Sequence, residues 1–580
     1  MIKLTINDTP IAVPKGTTIL EAARTLGIHI PTLCHMDLHM DQFGVVNQAS
    51  SCRVCTVEVQ GRPALVTACS EKVTDGMHVS THTPRAITAR RMSVELLLSN
   101  HPKDCLMCPK NLECDLQKLA ADLGVRDIKW AGERIDFEKD ESSGAIVKDP
   151  NKCVMCRRCE TMCNEVQTCG ILSAVNRGFN TFVGPAFNLD MKETSCTYCG
   201  QCVAVCPTAA LTENNDIHKV WREINNPNKH VIVQVAPAIR VAVGELFDMP
   251  AGSISTGKLA TSLRRLGFDA VYDTDFAADL TILEEASELV HRIQHGGVLP
   301  ILTSCCPAWV QFFEHQYPDM LDIPSTCKSP QIMFGALAKT YYAEKKGIDP
   351  KDIVVVSVMP CIAKKAEAKR TELSHHELQN VDYVLTTREY GLMLKEACID
   401  FANLPEGDFD HMLGESTGAS VIFGTTGGVI EAAARTAYEW LTGETLEQVE
   451  LTQLRGLDGI RSGKVQIGDL ELNIGIAHGL GNARKLLDSI KAGECNFQAI
   501  EIMACPGGCI GGGGQPYHHG DMEIIRKRQI AIYQEDRNKT KRKSHENQEV
   551  LDLYEKYLGK PYGEKAHELL HTHYVAKEKI

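Results

Sequence analysis

Residues 505–516 read Cys-Pro-Gly-Gly-Cys-Ile-Gly-Gly-Gly-Gly-Gln-Pro, which sets two thiol donors, Cys505 and Cys509, in a backbone with almost no side chains. Glycine is costly in an ordered segment and is tolerated where the chain turns with positive φ or closely approaches a ligand. Six glycines around two cysteines therefore indicate a bulky inorganic group held against the main chain. The alternative is a mobile glycine-rich surface loop, and the other cysteines decide between the two.

The size and charge of the chain indicate a modular protein that does not act on nucleic acid. The 580 residues suffice for roughly three to five domains. The formal net charge is −13 at pH 7, whereas nucleic-acid binders usually carry a net basic face. We interpret the basic run near the C-terminus as a solvated helix face; it consists of Arg537, Lys539, Lys541, Arg542 and Lys543.

The cysteine content indicates metal sites in a reducing compartment. The N-terminus lacks the apolar core of a signal peptide, and no apolar run reaches the roughly 18 residues of a membrane span, so we expect a soluble cytoplasmic protein. Thiols stay reduced in the cytoplasm. The 24 cysteines, many in tight spacings, are therefore predicted to be metal ligands rather than disulfides.

The first 28 residues predict the start of a β-grasp domain, with strands at 3–6 and 11–13 and then a helix that Thr18 and Glu21 cap. Four cysteines follow: Cys34, Cys52, Cys55 and Cys69. Plant-type [2Fe–2S] sites also combine a close pair with distant cysteines, although at a different spacing. The longer spacing here resembles the N-terminal [2Fe–2S] domain of the large electron-transfer subunit of respiratory NADH dehydrogenase and of iron-only hydrogenases. Zinc held by four thiolates is the alternative.

The next set combines one imidazole with three thiols: His101, Cys105, Cys108 and Cys114. On spacing alone it fits a zinc site equally well. Its position directly after the first module resembles the His-ligated [4Fe–4S] domain of the same two families. An imidazole in place of a thiolate removes negative charge, so the potential of such a cluster is expected to differ from that of its all-cysteine counterparts.

Two runs of cysteines form an internal repeat of the bacterial ferredoxin signature, although Asn164 replaces the proline usual after the first run. In this motif the fourth cysteine of each run serves the other cluster. The predicted ligand sets are Cys153, Cys156, Cys159 and Cys206 for one [4Fe–4S] cluster and Cys196, Cys199, Cys202 and Cys163 for the other. Residues 1–210 are thus predicted to carry a chain of one [2Fe–2S] and three [4Fe–4S] clusters that transfers electrons one at a time.

From His230 onward, apolar strands alternate with helices, which predicts an α/β domain with mostly parallel sheets. Predicted strands at 298–302, 353–358 and 499–503 run directly into cysteines. Open α/β sheets place their sites at the carboxyl ends of strands. The cysteines at these three ends are Cys305 and Cys306, Cys361, and Cys505 and Cys509.

These three segments together resemble the motifs of the [FeFe]-hydrogenases, or iron-only hydrogenases, and the likeness covers the whole chain, including the accessory-cluster modules. The resemblance implies that Cys306, Cys361, Cys505 and Cys509 hold a [4Fe–4S] cube. It implies that Cys509 also bridges to a two-iron subcluster with CO, cyanide and a bridging azadithiolate. Cube and subcluster together are the H-cluster.

The resemblance also implies a proton relay. Cys305, next to Cys306, would be a free thiol that passes protons to the dithiolate amine. Glu285, Glu288 and Ser325 match the family's relay toward the surface, and carboxyl and hydroxyl groups can each accept and donate a proton. Glu285 and Glu288 are three residues apart and so share a helical face. A solvent-facing acidic helix is the alternative.

Further positions match residues that contact the two-iron unit in the family. Lys364 matches the lysine that donates to one cyanide, and Met359 and Met503 match methionines that pack over the irons. Pro237 lies in the segment that contacts the other cyanide, where Ala238 lacks the hydroxyl of some members. The surplus thiols are expected to be packed in the structure; they are Cys169, Cys327, Cys398 and Cys495.

The implied activity is reversible oxidation of H2 to two protons and two electrons. The opening from Val13 to Ala23 resembles the catalytic subunit of multimeric NAD(P)-linked, electron-bifurcating hydrogenases. Their partners are a flavin-bearing NADH-dehydrogenase-like subunit, a thioredoxin-like [2Fe–2S] subunit and ferredoxin. The alternatives are a stand-alone ferredoxin-dependent hydrogenase, a non-enzymatic iron–sulfur relay and a hydrogen sensor. Neither a membrane nor nucleic acid is expected as a partner.

The predicted fold is a modular α+β chain of four domains. We expect a β-grasp [2Fe–2S] domain over 1–80, a His-ligated [4Fe–4S] domain over 81–140 and a 2[4Fe–4S] ferredoxin domain over 141–215. A large α/β H-cluster domain with mostly parallel sheets is expected over 225–580.

Overall fold

The structure is a computed structural model that describes residues 1–36, 50–375, 377–468 and 470–579, and it begins with a mixed five-stranded sheet in the order β2-β1-β5-β3-β4. The edge hairpin is antiparallel, while β1 runs parallel to β5. The helix α1 packs against the sheet, and Thr18 and Glu21 form the predicted capping box at its start. This is the predicted β-grasp arrangement. The elements are β1 Ile2–Ile6, β2 Thr9–Val13, α1 Ile19–Thr25, β3 Thr56–Val59, β4 Val66–Thr67 and β5 Met77–Ser80.

Two small modules follow the β-grasp sheet. The first is built on two helices, α2 Pro84–Asn100 and α3 Asp115–Asp122. The second has the pseudo-symmetry expected of the repeated ferredoxin signature, with one short helix in each half and two strand pairs that each join one strand from either half. Its elements are β6 Ile146–Lys148, α4 Arg158–Thr161, β7 Ser173–Val175, β8 Phe182–Gly184, α5 Gln201–Val205 and β9 Leu211–Glu213, where β6 pairs with β9 and β7 with β8.

Buried polar contacts join these three modules. Arg158, which is buried, donates to the Asp115 carboxylate over 3.0 Å and to the carbonyl of His35 over 3.1 Å. The Asp115 amide donates to the Pro207 carbonyl over 2.9 Å. Because unsatisfied buried groups are costly, these contacts fix the modules relative to one another.

The C-terminal domain contains two four-stranded sheets, as the alternating pattern predicts. The first, in the order β11-β10-β13-β14, is wholly parallel; the second, in the order β12-β17-β16-β15, is parallel except for the edge strand β15. The strands are β10 His230–Val235, β11 Ala270–Asp273, β12 Ile301–Leu302, β13 Ile353–Met359, β14 Tyr383–Thr386, β15 Ile460–Ile467, β16 Leu470–His478 and β17 Ala499–Met503.

Helices connect these strands and cover both sheets. The longest of them, α8, is buried along most of its length, including its acidic residues. None of the helices within the described ranges is long and apolar enough to cross a membrane. The helices are α6 Ile217–Ile224, α7 Thr256–Leu266, α8 Asp275–His295, α9 Pro307–Gln316, α10 Pro330–Leu337, α11 Ala343–Lys346, α12 Ala363–Glu367, α13 Thr387–Glu396, α14 Gly418–Val421, α15 Gly428–Thr442, α16 Leu480–Lys491, α17 Met522–Asn538, α18 Gln548–Leu553 and α19 Glu564–Leu570.

Three local expectations were wrong. The strand expected over 298–302 is only Ile301–Leu302, preceded by Pro300, which has no N–H to give to a ladder. The basic run is not a solvated helix face, because α17 ends at Asn538 and Lys543 is buried in an ion pair with Glu439 at 2.6 Å. Cys398 is exposed rather than packed.

Candidate active site

The carboxyl ends of β12, β13 and β17 converge on one apolar cavity with about 730 Å³ of space not filled by protein atoms, open solvent included. The two sheets contribute different walls, since β13 belongs to the first sheet and β12 and β17 to the second. The sequence-predicted residues that line this cavity are Pro237, Cys305, Cys306, Met359, Cys361, Lys364, Met503, Cys505 and Cys509. The structure therefore brings together segments that are up to 272 residues apart in the sequence, as the strand-end argument predicted.

The thiols in the cavity are in a strongly desolvated environment. Burial raises the pKa of Cys509 to about 12 and raises the pKa of Cys306, Cys361 and Cys505 above the ordinary thiol value. A buried thiolate needs a positive partner, and bound metal is the usual one. Four thiols around one cavity match the donor set of a cubane iron–sulfur cluster. The chemistry of this donor set thus fits a [4Fe–4S] cube.

The glycine-rich loop owes its composition to contacts with neighbouring backbone. Gly508 has φ +93°, and a Cβ built there would lie 2.6 Å from the amide nitrogen of Thr426. A Cβ on Gly512 would lie 2.2 Å from the carbonyl oxygen of Pro360, the residue before Cys361. A larger residue at Gly508 would push the loop away from the Thr426 segment, and one at Gly512 would push it away from the segment that carries Cys361. The glycines therefore allow close packing of the cavity walls.

Cys305 and Lys364 meet at one side of the cavity. The Lys364 ammonium donates to the Cys305 carbonyl over 3.1 Å and to the Glu367 carboxylate over 2.8 Å. Burial lowers the pKa of Lys364, but the charge and hydrogen bond of Glu367, together with the neighbouring Cys361 and Cys305, outweigh it, and the pKa is raised overall. Lys364 is therefore a cation at the cavity wall. Gln331 also donates to Glu367, over 3.0 Å, which fixes the carboxylate.

The three predicted relay residues lie together next to Cys305. Burial raises the pKa of Glu285 to about 8, so its carboxyl is protonated at neutral pH. Ser325 donates to Glu288 over 2.9 Å and lies close enough to Glu285 to oppose part of the rise in its pKa. Glu288 accepts from Arg292 over 2.6 Å. Both glutamates are buried on α8, so the alternative of a solvent-facing acidic helix is wrong.

The thiols of the ferredoxin repeat lie around two further cavities. Cys153, Cys156, Cys159 and Cys206 line one, and Cys163, Cys196, Cys199 and Cys202 line the other, together with the surplus Cys169. This is the exchange of the fourth cysteine between halves that the repeat predicts. The second cavity is adjacent to the apolar cavity, since a Cβ on Gly513 would lie 2.7 Å from the Cys199 carbonyl oxygen.

Side-chain hydrogen bonds join the ferredoxin module to the glycine-rich loop. Gln201 donates to the Gly511 carbonyl over 3.0 Å, and Gln167 donates to the Ala504 carbonyl over 2.9 Å. These contacts hold the Cys199 segment beside Cys505. The second thiol set of the ferredoxin module therefore lies next to the apolar cavity, in a position suited to electron transfer toward it.

The remaining predicted ligands fall into two groups in the N-terminal modules. Cys34, Cys52, Cys55 and Cys69 are buried together, with hydrogen bonds among the thiols. Hydrogen bonding with Cys69 lowers the pKa of Cys55 to about 7. Such a compact four-thiol set fits a [2Fe–2S] cluster.

His101 precedes the second group of thiols in the sequence, and of these Cys105 is exposed while Cys108 and Cys114 are partly buried. Burial lowers the pKa of His101 to about 4, which leaves the imidazole neutral, as a metal ligand must be. Its Nδ1 is buried and finds no hydrogen-bond partner within the described part of the chain. A buried, neutral ring nitrogen without a partner fits a fourth ligand to a metal or cluster.

Sequence reasoning missed four residues that hold the site together. Arg292 binds Glu288, Glu367 and Gln331 hold Lys364, and Ser304 donates to Glu285 over 3.3 Å. Arg292 and Glu367 carried a signal, since they lie four and three residues after their partners on helices. Ser304 and Gln331 carried none, because their contacts depend on tertiary packing.

Comparisons with known proteins agree with this architecture. Residues 229–513 match the family described as iron only hydrogenase large subunit, C-terminal domain, and residues 522–577 match iron hydrogenase small subunit. Residues 1–84 match a 2Fe-2S iron-sulfur cluster binding domain, and residues 90–129 match the NADH-ubiquinone oxidoreductase-G iron-sulfur binding region. Residues 192–212 match a 4Fe-4S binding domain.

Individual relatives match over the full length of the chain. The NADP-reducing hydrogenase subunit HndD of Solidesulfovibrio fructosivorans is 57% identical over 586 residues, with 100% of both chains covered. Iron hydrogenase 1 of Clostridium pasteurianum is 40% identical, with 99% of this chain and 100% of the relative covered. Among solved structures, a variant of [FeFe]-hydrogenase HydA1 from Chlamydomonas reinhardtii matches with a TM-score of 0.57 and 46% identity, covering 62% of this chain and 99% of that one.

Proposed function

The chain belongs to the iron-only, or [FeFe]-, hydrogenase family, and from this premise we propose that it catalyses reversible H2 oxidation and proton reduction as the catalytic subunit of an electron-bifurcating complex. The observation that carries the proposal is the single apolar cavity where four thiols, the Cys305 thiol and the Lys364 cation converge. A relay protein without this chemistry has no need for such a set.

We assign Cys306, Cys361, Cys505 and Cys509 to the [4Fe–4S] cube of an H-cluster. When bound, the two-iron part of this cofactor supplies the site at which H2 is split or formed. Met359, Met503 and Pro237 shape the apolar wall around it and exclude water. Lys364 supplies a fixed positive charge for an anionic ligand such as cyanide. The attraction between the two charges is stronger in a cavity without water.

The proton route starts at the Cys305 thiol and runs through Glu285, Ser325 and Glu288. A protonated Glu285 can donate at neutral pH, and the Ser325 hydroxyl can accept from one glutamate while it donates to the other. Arg292 holds Glu288 at the outer end of this route. General acid–base groups in such positions typically contribute about 10²–10⁴ in rate.

The electron route uses the accessory thiol sets as proposed ligands of one [2Fe–2S] and three [4Fe–4S] clusters. The module boundaries 1–80, 81–140, 141–215 and 225–580 are part of this proposal. The hydrogen couple lies near −0.4 V at pH 7, because each pH unit moves it by about 59 mV, and plant-type ferredoxins lie near roughly −400 mV. Electrons can therefore pass in either direction at small cost.

A partner subunit is supported by the surface around the His101 module. Leu106, Met107 and Leu112 are 86–89% exposed on the loops that carry Cys105, Cys108 and Cys114. Exposed apolar side chains grouped at one place indicate an interaction surface. We propose a flavin-bearing NADH-dehydrogenase-like subunit and a thioredoxin-like [2Fe–2S] subunit as partners, because the relative HndD is an NADP-reducing hydrogenase subunit.

The proposal has two tests. Matured, anaerobic protein should show infrared bands of metal-bound CO and cyanide, and their absence would contradict the H-cluster assignment. H2 assays on the co-purified complex should then compare ferredoxin alone, NAD(P)H alone and both together. A requirement for both supports bifurcation, whereas full activity with ferredoxin alone supports a stand-alone ferredoxin-dependent hydrogenase.

A further inference from the structure

Two buried lysines cross the junction between the His101 module and the ferredoxin module in opposite directions. Lys110, from the His101 module, is 1% exposed and donates to the carbonyl of Cys206. Lys152, from the ferredoxin module, is 7% exposed and donates to the Sγ of Cys108 over 3.6 Å. Each module thus inserts one ammonium group against a proposed cluster ligand of the other.

Lys110 is held in place by the catalytic domain. Its ammonium lies 3.9 Å from the centre of the Tyr517 ring, and the Arg388 guanidinium lies 4.3 Å from the same centre. Arg388 is itself bound to Glu213 at 2.8 Å and donates to the Gly513 carbonyl over 2.9 Å. The aromatic face stabilises the two neighbouring cations. Lys110 is therefore fixed by residues of two other modules, the ferredoxin module and the catalytic domain.

Lys152 is held by two carboxylates on either side of the junction. Asp104, in the His101 module, lies 3.5 Å from its Nζ, and Asp149, in its own module, lies 4.0 Å away. Asp104 precedes the exposed ligand candidate Cys105. Lys152 therefore connects the ferredoxin module to the loop that carries the thiols of the His101 module. Long flexible lysines are rarely buried unless paired, and here two are buried at one junction.

We propose that Lys110 and Lys152 set the reduction potentials of the two clusters at this junction, each acting mainly on the cluster of the other module. The inference rests on the ligand sets proposed above. Each cluster takes up one electron and so gains one negative charge, and a fixed cation nearby favours that reduced form. Hydrogen bonds to the cluster sulfurs act in the same direction.

The reciprocal arrangement links the two potentials to the docking of the modules. If the modules separated, both clusters would lose a cation at once. The lysines therefore raise both reduction potentials only when the two modules are docked. In that state an electron that leaves one cluster can be accepted by the next.

The test is a redox titration of the full-length protein followed by electron paramagnetic resonance. Nitrogen coupling in pulsed spectra identifies the His101-ligated cluster independently of its potential. Lys152→Met should lower the potential of the nitrogen-coupled cluster, and Lys110→Met that of a cluster without nitrogen coupling. In each case we expect at least a tenfold loss in the ratio of reduced to oxidised cluster, which is 59 mV for one electron.

Matched variants separate charge from folding. Lys152→Arg and Lys110→Arg keep the cation and should leave the reduction potentials nearly unchanged. Lys118→Met removes an exposed lysine of the His101 module and should change the potential of neither cluster. Iron content and the melting temperature check that each variant is loaded and folded. The inference is overturned if Lys110→Met and Lys152→Met give the same cluster potentials as Lys118→Met. It is also overturned if each substitution shifts only the potential of the cluster in its own module. Absence of a nitrogen-coupled signal would contradict the ligand assignment at His101 and this inference with it.

Discussion

Ser325 donates a hydrogen bond to Glu288, with 2.9 Å between Oγ and Oε2, and both side chains are buried. Ser325 also lies close enough to Glu285, one helical turn before Glu288 on α8, to lower the pKa of that carboxyl. The Ser325 hydroxyl thus lies beside two buried carboxyl groups. This is the narrowest point of the proposed proton route.

Replacing Ser325 by alanine should slow H2 turnover about 10²–10⁴-fold, because the hydroxyl that links the two glutamates is lost. Ser325→Thr keeps the hydroxyl and should restore part of the rate. The infrared bands of CO and cyanide should be unchanged, since Ser325 does not line the apolar cavity. Ser489→Ala on α16, whose hydroxyl donates to the Leu486 carbonyl, is the matched control. Full turnover in Ser325→Ala would place the proton route elsewhere.

The stability of the protein should depend on pH through Glu285. Burial raises its pKa from 4.5 to about 8, so between these values the carboxyl is protonated in the folded state and ionised in the unfolded one. Its contribution to stability is fully present below about pH 4.5 and is lost as the pH rises toward 8, at up to about 1.4 kcal/mol per pH unit.

Glu285→Gln removes this titration and should flatten the fall in melting temperature between pH 5 and pH 8. The measurement is the difference in melting temperature between the variant and the natural chain at each pH, which cancels the groups that both share. The difference should move steadily in favour of the variant with rising pH. A constant difference would mean that Glu285 titrates normally in the folded state.

Glu367 should be needed to keep Lys364 charged. Its carboxylate lies 2.8 Å from Nζ, and the pair is almost fully buried. Glu367→Gln leaves a buried ammonium group without its counter-charge, a change that typically costs about 3–5 kcal/mol. We expect a lower melting temperature and, in matured protein, a shifted cyanide infrared band. Exposed Glu344 offers the control Glu344→Gln. Unchanged bands and control-like stability would show that Lys364 is held by other contacts.

The motifs predicted the fold and the placement of the thiols well where the signal is local or repeated. The capping box at Thr18, the exchange of Cys206 and Cys163 between the halves of the ferredoxin repeat, and the cysteines at strand ends were all visible as spacings. Spacing alone left zinc open for the His101 set, because ligand type and order do not identify a metal. The buried, unpartnered Nδ1 of His101 is a property that only the fold provides.

The reason for the glycines was only partly foreseen. They were expected to make room for an inorganic group, yet a Cβ on Gly508 or Gly512 would first meet protein backbone at Thr426 or Pro360. Lys110 and Lys152 gave no signal at all, because their targets lie in the neighbouring modules. Contacts between segments far apart in sequence leave no regular spacing from which they could be predicted.

Gly508→Ala should therefore prevent assembly of the active site rather than alter its chemistry. The added Cβ would lie 2.6 Å from the Thr426 amide nitrogen, a backbone atom that cannot rotate away, and φ is +93°. We expect loss of the CO and cyanide infrared bands, together with a fall in iron content that leaves the accessory clusters in place.

Gly508 combines φ +93° with ψ −154°, a backbone region that essentially only glycine adopts. Gly443→Ala is the control for positive φ, since Gly443 has φ +70° and ψ 8° but nothing within 4 Å of the added Cβ. It carries the positive-φ strain alone, about 1 kcal/mol, and should keep both the bands and the iron. If Gly508→Ala behaves like Gly443→Ala, the loop tolerates a side chain and its glycines serve flexibility instead. If it loses the bands while Gly443→Ala keeps them, the glycine-only backbone of Gly508 and its close contact with Thr426 are what bring Cys505 and Cys509 to Cys306 and Cys361.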